Sequence, residues 1–123
     1  MSTELQQEVW EIAKEVYSAL GGGYIESVYE HAMAIEFRRR DIKYQRQSKQ
    51  EVFYKGERVA SHDLDFLVEG SLVVELKATG SITNASVGQI SAYLKTTGYE
   101  GGMLITFPYP EKDEPLCQYI ERS

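Results

Sequence analysis

Residues 61–77 (SHDLDFLVEGSLVVELK) constrain the fold more than any other stretch. From Leu64 on, every even-numbered position except Gly70 is apolar. Side chains alternate between the two faces of a strand. Leu64, Phe66, Val68, Leu72, Val74 and Leu76 therefore share one buried face of a hairpin only when paired residue numbers have an even sum. A three-residue loop, Glu69-Gly70-Ser71, produces that register, with Gly70 free to take the left-handed conformation such loops favour. Val68 then faces Leu72, Phe66 faces Val74, and Asp65 lies opposite Glu75 with Cβ atoms about 5 Å apart. Lys77 follows on the same face. A two-residue turn would send Asp65 and Glu75 to opposite faces, and the apolar pattern opposes it.

The rest of the chain supplies elements around this hairpin. Residues 4–20 read as a helix with Leu5, Val9, Ile12, Val16 and Leu20 as its buried stripe, and Gly21-Gly22-Gly23 as its stop. A second helix is expected over 24–40, with Ile25, Val28, Ala32 and Ile35 on its buried side. Strands follow near 43–54, 58–68 and 72–78, the first two joined at Lys55-Gly56-Glu57. A third helix over 83–97 starts at Thr83, an N-cap residue, and stops at Gly98. Met103–Phe107 is a short apolar strand, and a helix between it and the preceding strand makes the two parallel neighbours with a right-handed crossover. Pro108, Pro110 and Pro115 interrupt the chain before an edge strand at 116–121. The expectation is one domain over 1–123, of α/β (α+β) class, with a mixed sheet and helices in the order ααβββαββ.

The chain has 123 residues, a net charge of −6 and one cysteine. No apolar run approaches the roughly 18 residues of a membrane span, and the N-terminus lacks the pattern of a secretory signal. A lone Cys117 allows no internal disulfide and fits a reducing compartment, so a cytoplasmic location is expected. The acidic balance argues against nucleic acid until its distribution is considered. Residues 38–58 carry eight basic and three acidic side chains, a segregation that suits a phosphate-binding surface. Arg38, Arg39, Arg40, Lys43 and Arg46 are the candidates for that contact. A solvated helix end followed by a hairpin is the plainer explanation of the same charges.

Hydrolysis of a phosphodiester needs an activated water and relief of the charge that builds on phosphate. Hard divalent cations do both and prefer oxygen ligands, with Mg²⁺ using one or two protein carboxylates. Asp65 and Glu75 suit that role, and the backbone carbonyl of Leu76 would add a ligand. Lys77 would hold the attacking water or stabilise developing negative charge. Glu-x-Lys alone is common in surface strands, where it forms a weak ion pair. Three features add weight here: Asp65 in matching register, Gly23-x-x-Glu26-x-x-Tyr29 at the second helix, and Gln89-x-x-x-Tyr93 on one face of the third.

Together these residues resemble the GxxExxY group of the PD-(D/E)xK nuclease superfamily, over Gly23 to about Phe107, and Gln89-x-x-x-Tyr93 resembles its RecB-like members. The resemblance implies a restriction-endonuclease-like core and a Mg²⁺- or Mn²⁺-dependent nuclease site. It assigns metal and catalytic positions to Asp65, Glu75 and Lys77, and a water-mediated ligand to Glu26. Gln89 and Tyr93 would orient substrate or the site itself. Asp63 is a rival for the metal position, and Asp65 is preferred because it opposes Glu75. For Tyr29 and Tyr93, ordinary aromatic packing is the competing role.

The expected activity is metal-dependent cleavage of DNA, by a homodimer because one small domain grips little duplex. The alternative is a non-catalytic module that keeps the fold to bind nucleic acid or protein. His31 and His62 are too scattered for a zinc site.

Overall fold

A computed structural model describes residues 3–78 and 81–123. Its elements follow the expected order: α1 (Thr3–Leu20), α2 (Glu26–Arg39), β1 (Tyr44–Tyr54), β2 (Glu57–Val68), β3 (Leu72–Lys77), α3 (Asn84–Thr97), β4 (Gly101–Thr106) and β5 (Leu116–Glu121). The five strands form one mixed sheet in the order β1-β2-β3-β4-β5. All neighbours are antiparallel except β3 and β4, which the α3 crossover makes parallel. Among the described residues, no helix is long and apolar enough to cross a membrane.

The helices cover both faces of the sheet. On one face, Val9, Ile12, Ala13 and Val16 of α1 join Tyr29, Met33 and Phe37 of α2 over Phe66, Val68, Leu72, Val74 and Leu76. On the other, Ile90 and Leu94 of α3 cover Leu64, Leu67, Val73 and Leu104. With both faces buried, β3 and β4 need no alternation between apolar and polar, and residues 72–76 and 101–106 are all buried. The caps of α3 form as expected. Thr83 Oγ1 accepts from Ser86 N at 3.1 Å, and Gly98 closes the helix at φ 82°.

Three expectations about the fold need correction. The buried side of α2 is not Ile25, Val28, Ala32 and Ile35. Ile25 is 72% and Ile35 45% exposed, while Tyr29, Met33 and Phe37 are fully buried. Residues four apart share a helix face, so the sequence carries two competing apolar stripes. The one with two aromatics and a methionine has more surface to bury, and it wins. The six even-numbered hairpin residues also do not share one face, because Leu64 joins the α3 side. The cause is a break in the β1–β2 ladder, which pairs Arg46 with Phe66 and then Ser48 with Leu64, omitting the Gln47/Asp65 position. Gln47 sits there at φ 51°, outside the extended region a regular strand requires.

The register of the hairpin is as expected, with Val68 opposite Leu72 and Phe66 opposite Val74. Glu69 and Gly70 are both left-handed, at φ 51° and 64°, and Ser71 N donates to Val68 O at 3.0 Å to close the loop. The β1–β2 turn is shorter than anticipated. Tyr54 already pairs with Glu57, leaving Lys55 and Gly56 as its two left-handed residues, the arrangement that matches strand twist.

Candidate active site

The β2–β3 ladder stops at Phe66/Val74, and two acidic side chains take over where it ends. Asp65 N donates to Glu75 Oε1 at 2.8 Å, and Leu76 N donates to Asp65 Oδ2 at 2.8 Å. Each carboxylate thus satisfies a backbone N–H of the opposite strand, a role a carbonyl fills in a regular sheet. The two acids lie side by side at the mouth of the parted strands, 7% and 6% exposed. Asp63 is exposed and pairs with Lys49 on the outer part of the hairpin. Asp65 alone of the two meets Glu75.

Glu26, in the first turn of α2, adds a third acid. Its carboxyl is within electrostatic reach of Asp65, Lys77 and Glu30. The Gly23-x-x-Glu26-x-x-Tyr29 motif divides its labour. Gly23 holds φ 98°, and a Cβ there would meet the Tyr109 ring at 3.3 Å. Tyr29 is fully buried, stacked on Phe107 with centroids 4.2 Å apart. Its hydroxyl donates to Gly21 O at 2.8 Å and accepts from Tyr24 N at 3.4 Å. Glycine and tyrosine build the turn that aims Glu26, so packing accounts for Tyr29.

Burial raises the pKa of all three acids. Desolvation pushes Glu75 up to about 8, with the neighbouring Asp65 charge adding to it. Desolvation also raises Asp65 and Glu26, the latter helped by Asp65. Lys77, half-buried on β3, pulls in the other direction at each of them. Crowded, poorly hydrated carboxylates are the chemistry that a divalent cation relieves. Among the described residues, no three His, Cys, Asp or Glu side chains form a ready-made cage. Two carboxylates with open positions for water and phosphate are nonetheless what Mg²⁺ ordinarily takes. The donor set therefore fits a hard cation.

The remaining expected residues scatter more. The Leu76 side chain is fully buried in the core on the α1–α2 face. Tyr93 stacks on His62, with centroids 4.6 Å apart and planes 13° off parallel. The His62 Nε2 atom in turn lies 3.5 Å from Glu75 Oε2. Gln89 is exposed on α3. The basic residues do not form one free surface. Arg38 Nη1 donates to Tyr44 OH at 2.6 Å, Arg40 Nη2 to Glu15 Oε2 at 2.9 Å, and Arg46 Nε to Glu30 Oε1 at 3.2 Å. Arg39 and Lys43 are exposed.

Three residues near the acids are not assigned there by the sequence reading: Glu30 and Gln47, which it passes over, and His62, which it weighs only as a zinc ligand. Glu30 carried a signal, since it follows Glu26 by four positions on the same helix face. It is 6% exposed and accepts from Arg46 and Gln47. Gln47 and His62 belong to strand irregularity and tertiary stacking, and no local pattern announces either.

A sequence profile of the PD-(D/E)XK nuclease superfamily matches residues 3–119. No curated protein matches the chain in sequence. Among solved structures, SSO0001 superposes with a TM-score of 0.57 at 15% identity, covering 78% of this chain and 49% of its own. This chain thus spans about half of the SSO0001 chain. The alkaline exonuclease LHK-Exo from Laribacter hongkongensis superposes with a TM-score of 0.56 at 13% identity, over 99% of this chain and 71% of that one. Its complex with dAMP gives 0.56 at 15% identity over the same shares. At such identities the likeness is one of fold: a restriction-endonuclease-like mixed sheet between helices.

Proposed function

Taking as premise that this chain belongs to the PD-(D/E)XK nuclease superfamily, we propose that it is a divalent-metal-dependent nuclease that hydrolyses phosphodiester bonds in DNA. The observation that carries the reading is the parting of β2 and β3 around Asp65 and Glu75, with Lys77 and Glu26 within electrostatic reach. Nucleases of this superfamily are in general divalent-metal dependent. The alkaline exonuclease, crystallised with dAMP, favours DNA as the first substrate to test.

Asp65 and Glu75 would hold Mg²⁺ or Mn²⁺, with the Leu76 carbonyl as a further ligand and Glu26 adding charge from α2. When bound, such an ion polarises the phosphate and lowers the pKa of a bound water. Lys77 donates to the attacking water or to charge growing on the phosphate, an interaction stronger in the transition state than before it. Tyr93 supports the site through the His62 ring, and Gln89 reaches toward substrate from the exposed side of α3. Arg38, Arg39, Arg40, Lys43 and Arg46 would meet the nucleic-acid backbone. Arg46 does so beside Glu30 near the acids, and the other four at the far end of α2 by the β2–β3 loop, where Arg39 and Lys43 are exposed. Two copies acting as a homodimer in the cytoplasm, each a single domain, complete the reading.

The test is cleavage of single- and double-stranded DNA and RNA with Mg²⁺, Mn²⁺ or a chelator. Lys77→Ala should lower the rate by about a hundredfold or more with Tm held. Equal cleavage by Lys77→Ala sinks the assignment. Binding without any cleavage supports the non-catalytic module instead. Removing Arg39 and Lys43 together should lower the slope of log affinity against log salt by roughly 1–2.

A further inference from the structure

β1 breaks its own geometry at one residue, and that residue touches two acids. Gln47 holds φ 51° within an eleven-residue strand, a conformation uncommon for a residue with a Cβ and typical of glycine or asparagine. The ladder is interrupted at this point, and the partner it omits is Asp65. The side-chain amide of Gln47 then lies between two buried carboxylates. Its Nε2 donates to Glu30 Oε1 at 2.9 Å and to Asp65 Oδ1 at 3.4 Å. The same Glu30 oxygen also accepts from Arg46 Nε at 3.2 Å, which fixes the far end of the chain of contacts. Asp65 is held on its other oxygen by Leu76 N.

An amide NH₂ is suited to this place by its two donors. A carboxylate there would repel both neighbours, and an apolar side chain would leave two buried anions facing each other. The left-handed turn of the backbone is associated with the break in pairing that lets Asp65 leave the ladder. Strain persists in a fold only where surrounding structure over-determines it. Here the surroundings are Glu30, Arg46 and Asp65.

We propose that Gln47 is a positioning residue for Asp65: anchored on the Arg46–Glu30 pair, it sets the carboxylate orientation needed for metal binding. The metal part of this statement rests on the proposed function above, whereas the orientation of Asp65 does not. Glu30 is, on this account, an anchor and not a ligand.

The experiment compares wild type with Gln47→Gly and Gln47→Asn. Both substitutions accept the left-handed backbone, glycine most readily, and neither side chain reaches both acids. Three readouts are taken: Tm, hydrogen exchange of the Leu76 amide without metal, and Mn²⁺ affinity. Leu76 reports on Asp65 directly because its N–H is bound to Oδ2. Val74, which pairs with Phe66 in the unbroken ladder, is the internal reference. The expected result is a Tm little changed, because relief of the positive φ opposes the loss of the amide between two acids. Leu76 exchange should be faster by about tenfold relative to Val74, and Mn²⁺ affinity lower by about tenfold, as for outer partners of metal ligands. Unchanged Leu76 protection in both variants overturns the proposal. So does a fall in Tm with all β3 amides loosened alike, which marks a merely structural role. Selective loosening of Leu76 in a protein that binds no Mn²⁺ upholds the positioning and overturns the metal reading alone.

Discussion

The two ends of the β2–β3 hairpin are built from the same strands and do opposite things. At the loop end, Phe66/Val74, Leu67/Val73 and Val68/Leu72 pair backbone to backbone, with apolar side chains packed on both faces. One residue further, at Asp65 and Glu75, carboxylates replace carbonyls as acceptors and the strands separate. The closed end is stabilised by burial, roughly 1.5–3 kcal/mol for each large apolar side chain. The open end works against stability, because buried carboxylates lose hydration that two hydrogen bonds only partly replace. A rigid, fully paired hairpin is what permits its last residues to carry such a strained charge cluster. The lesson is that stability and chemistry divide along one hairpin, with the boundary between residues 65 and 66.

Substitution on each side of that boundary should separate the two. Phe66→Ala, at the closed end and against Phe37 and Tyr44, is expected to cost about 3–5 kcal/mol of unfolding free energy, read by denaturant titration. A smaller, pH-dependent effect belongs to the open end. Glu75 has a folded pKa near 8, against an ordinary 4.5 in the unfolded chain. The folded state thus binds a proton that the unfolded state releases. This contribution is fully present below about pH 4.5 and is lost as pH rises through about 8. Metal-free protein should therefore be less stable at high pH than near pH 5. Glu75→Gln should remove much of that slope and stabilise the metal-free protein at high pH by roughly 1–3 kcal/mol. Thermal unfolding across pH decides this, and an equally steep slope in the variant would assign the loss to another group. Asp63→Asn should have the smallest effect, within about 0.5 kcal/mol and without loss of metal binding, because Asp63 is exposed two residues beyond the boundary. Equal damage from Asp63→Asn and Asp65→Asn would erase the boundary.

Much of this was readable in the residues themselves. The hairpin register followed from the period-two pattern, because a slip of one residue would have set Phe66 and Val68 on the opposite face from Leu72 and Val74. The α3 caps followed from Thr83 and Gly98, whose preferences are local. The α2 face was not readable that way. Ile25 and Ile35 compete with Tyr29, Met33 and Phe37, and only the sheet beneath decides which stripe it receives. That choice also turns Glu26 and Glu30 toward the acids. The reversal of Leu64 and the place of Gln47 have one cause, a break in strand pairing that no alternation rule encodes. The three basic residues Arg38, Arg40 and Arg46 looked free as charges on a line. In space each finds Tyr44, Glu15 or Glu30.

Mn²⁺ binding to wild type and to Asp65→Ala, by calorimetry or spin resonance, tests the central claim most directly because it needs no choice of substrate. The account predicts binding in the wild type that is lost in Asp65→Ala while the closed end of the hairpin keeps its amide protection. Equal Mn²⁺ affinity in the two proteins would contradict it and place any metal elsewhere than the open end.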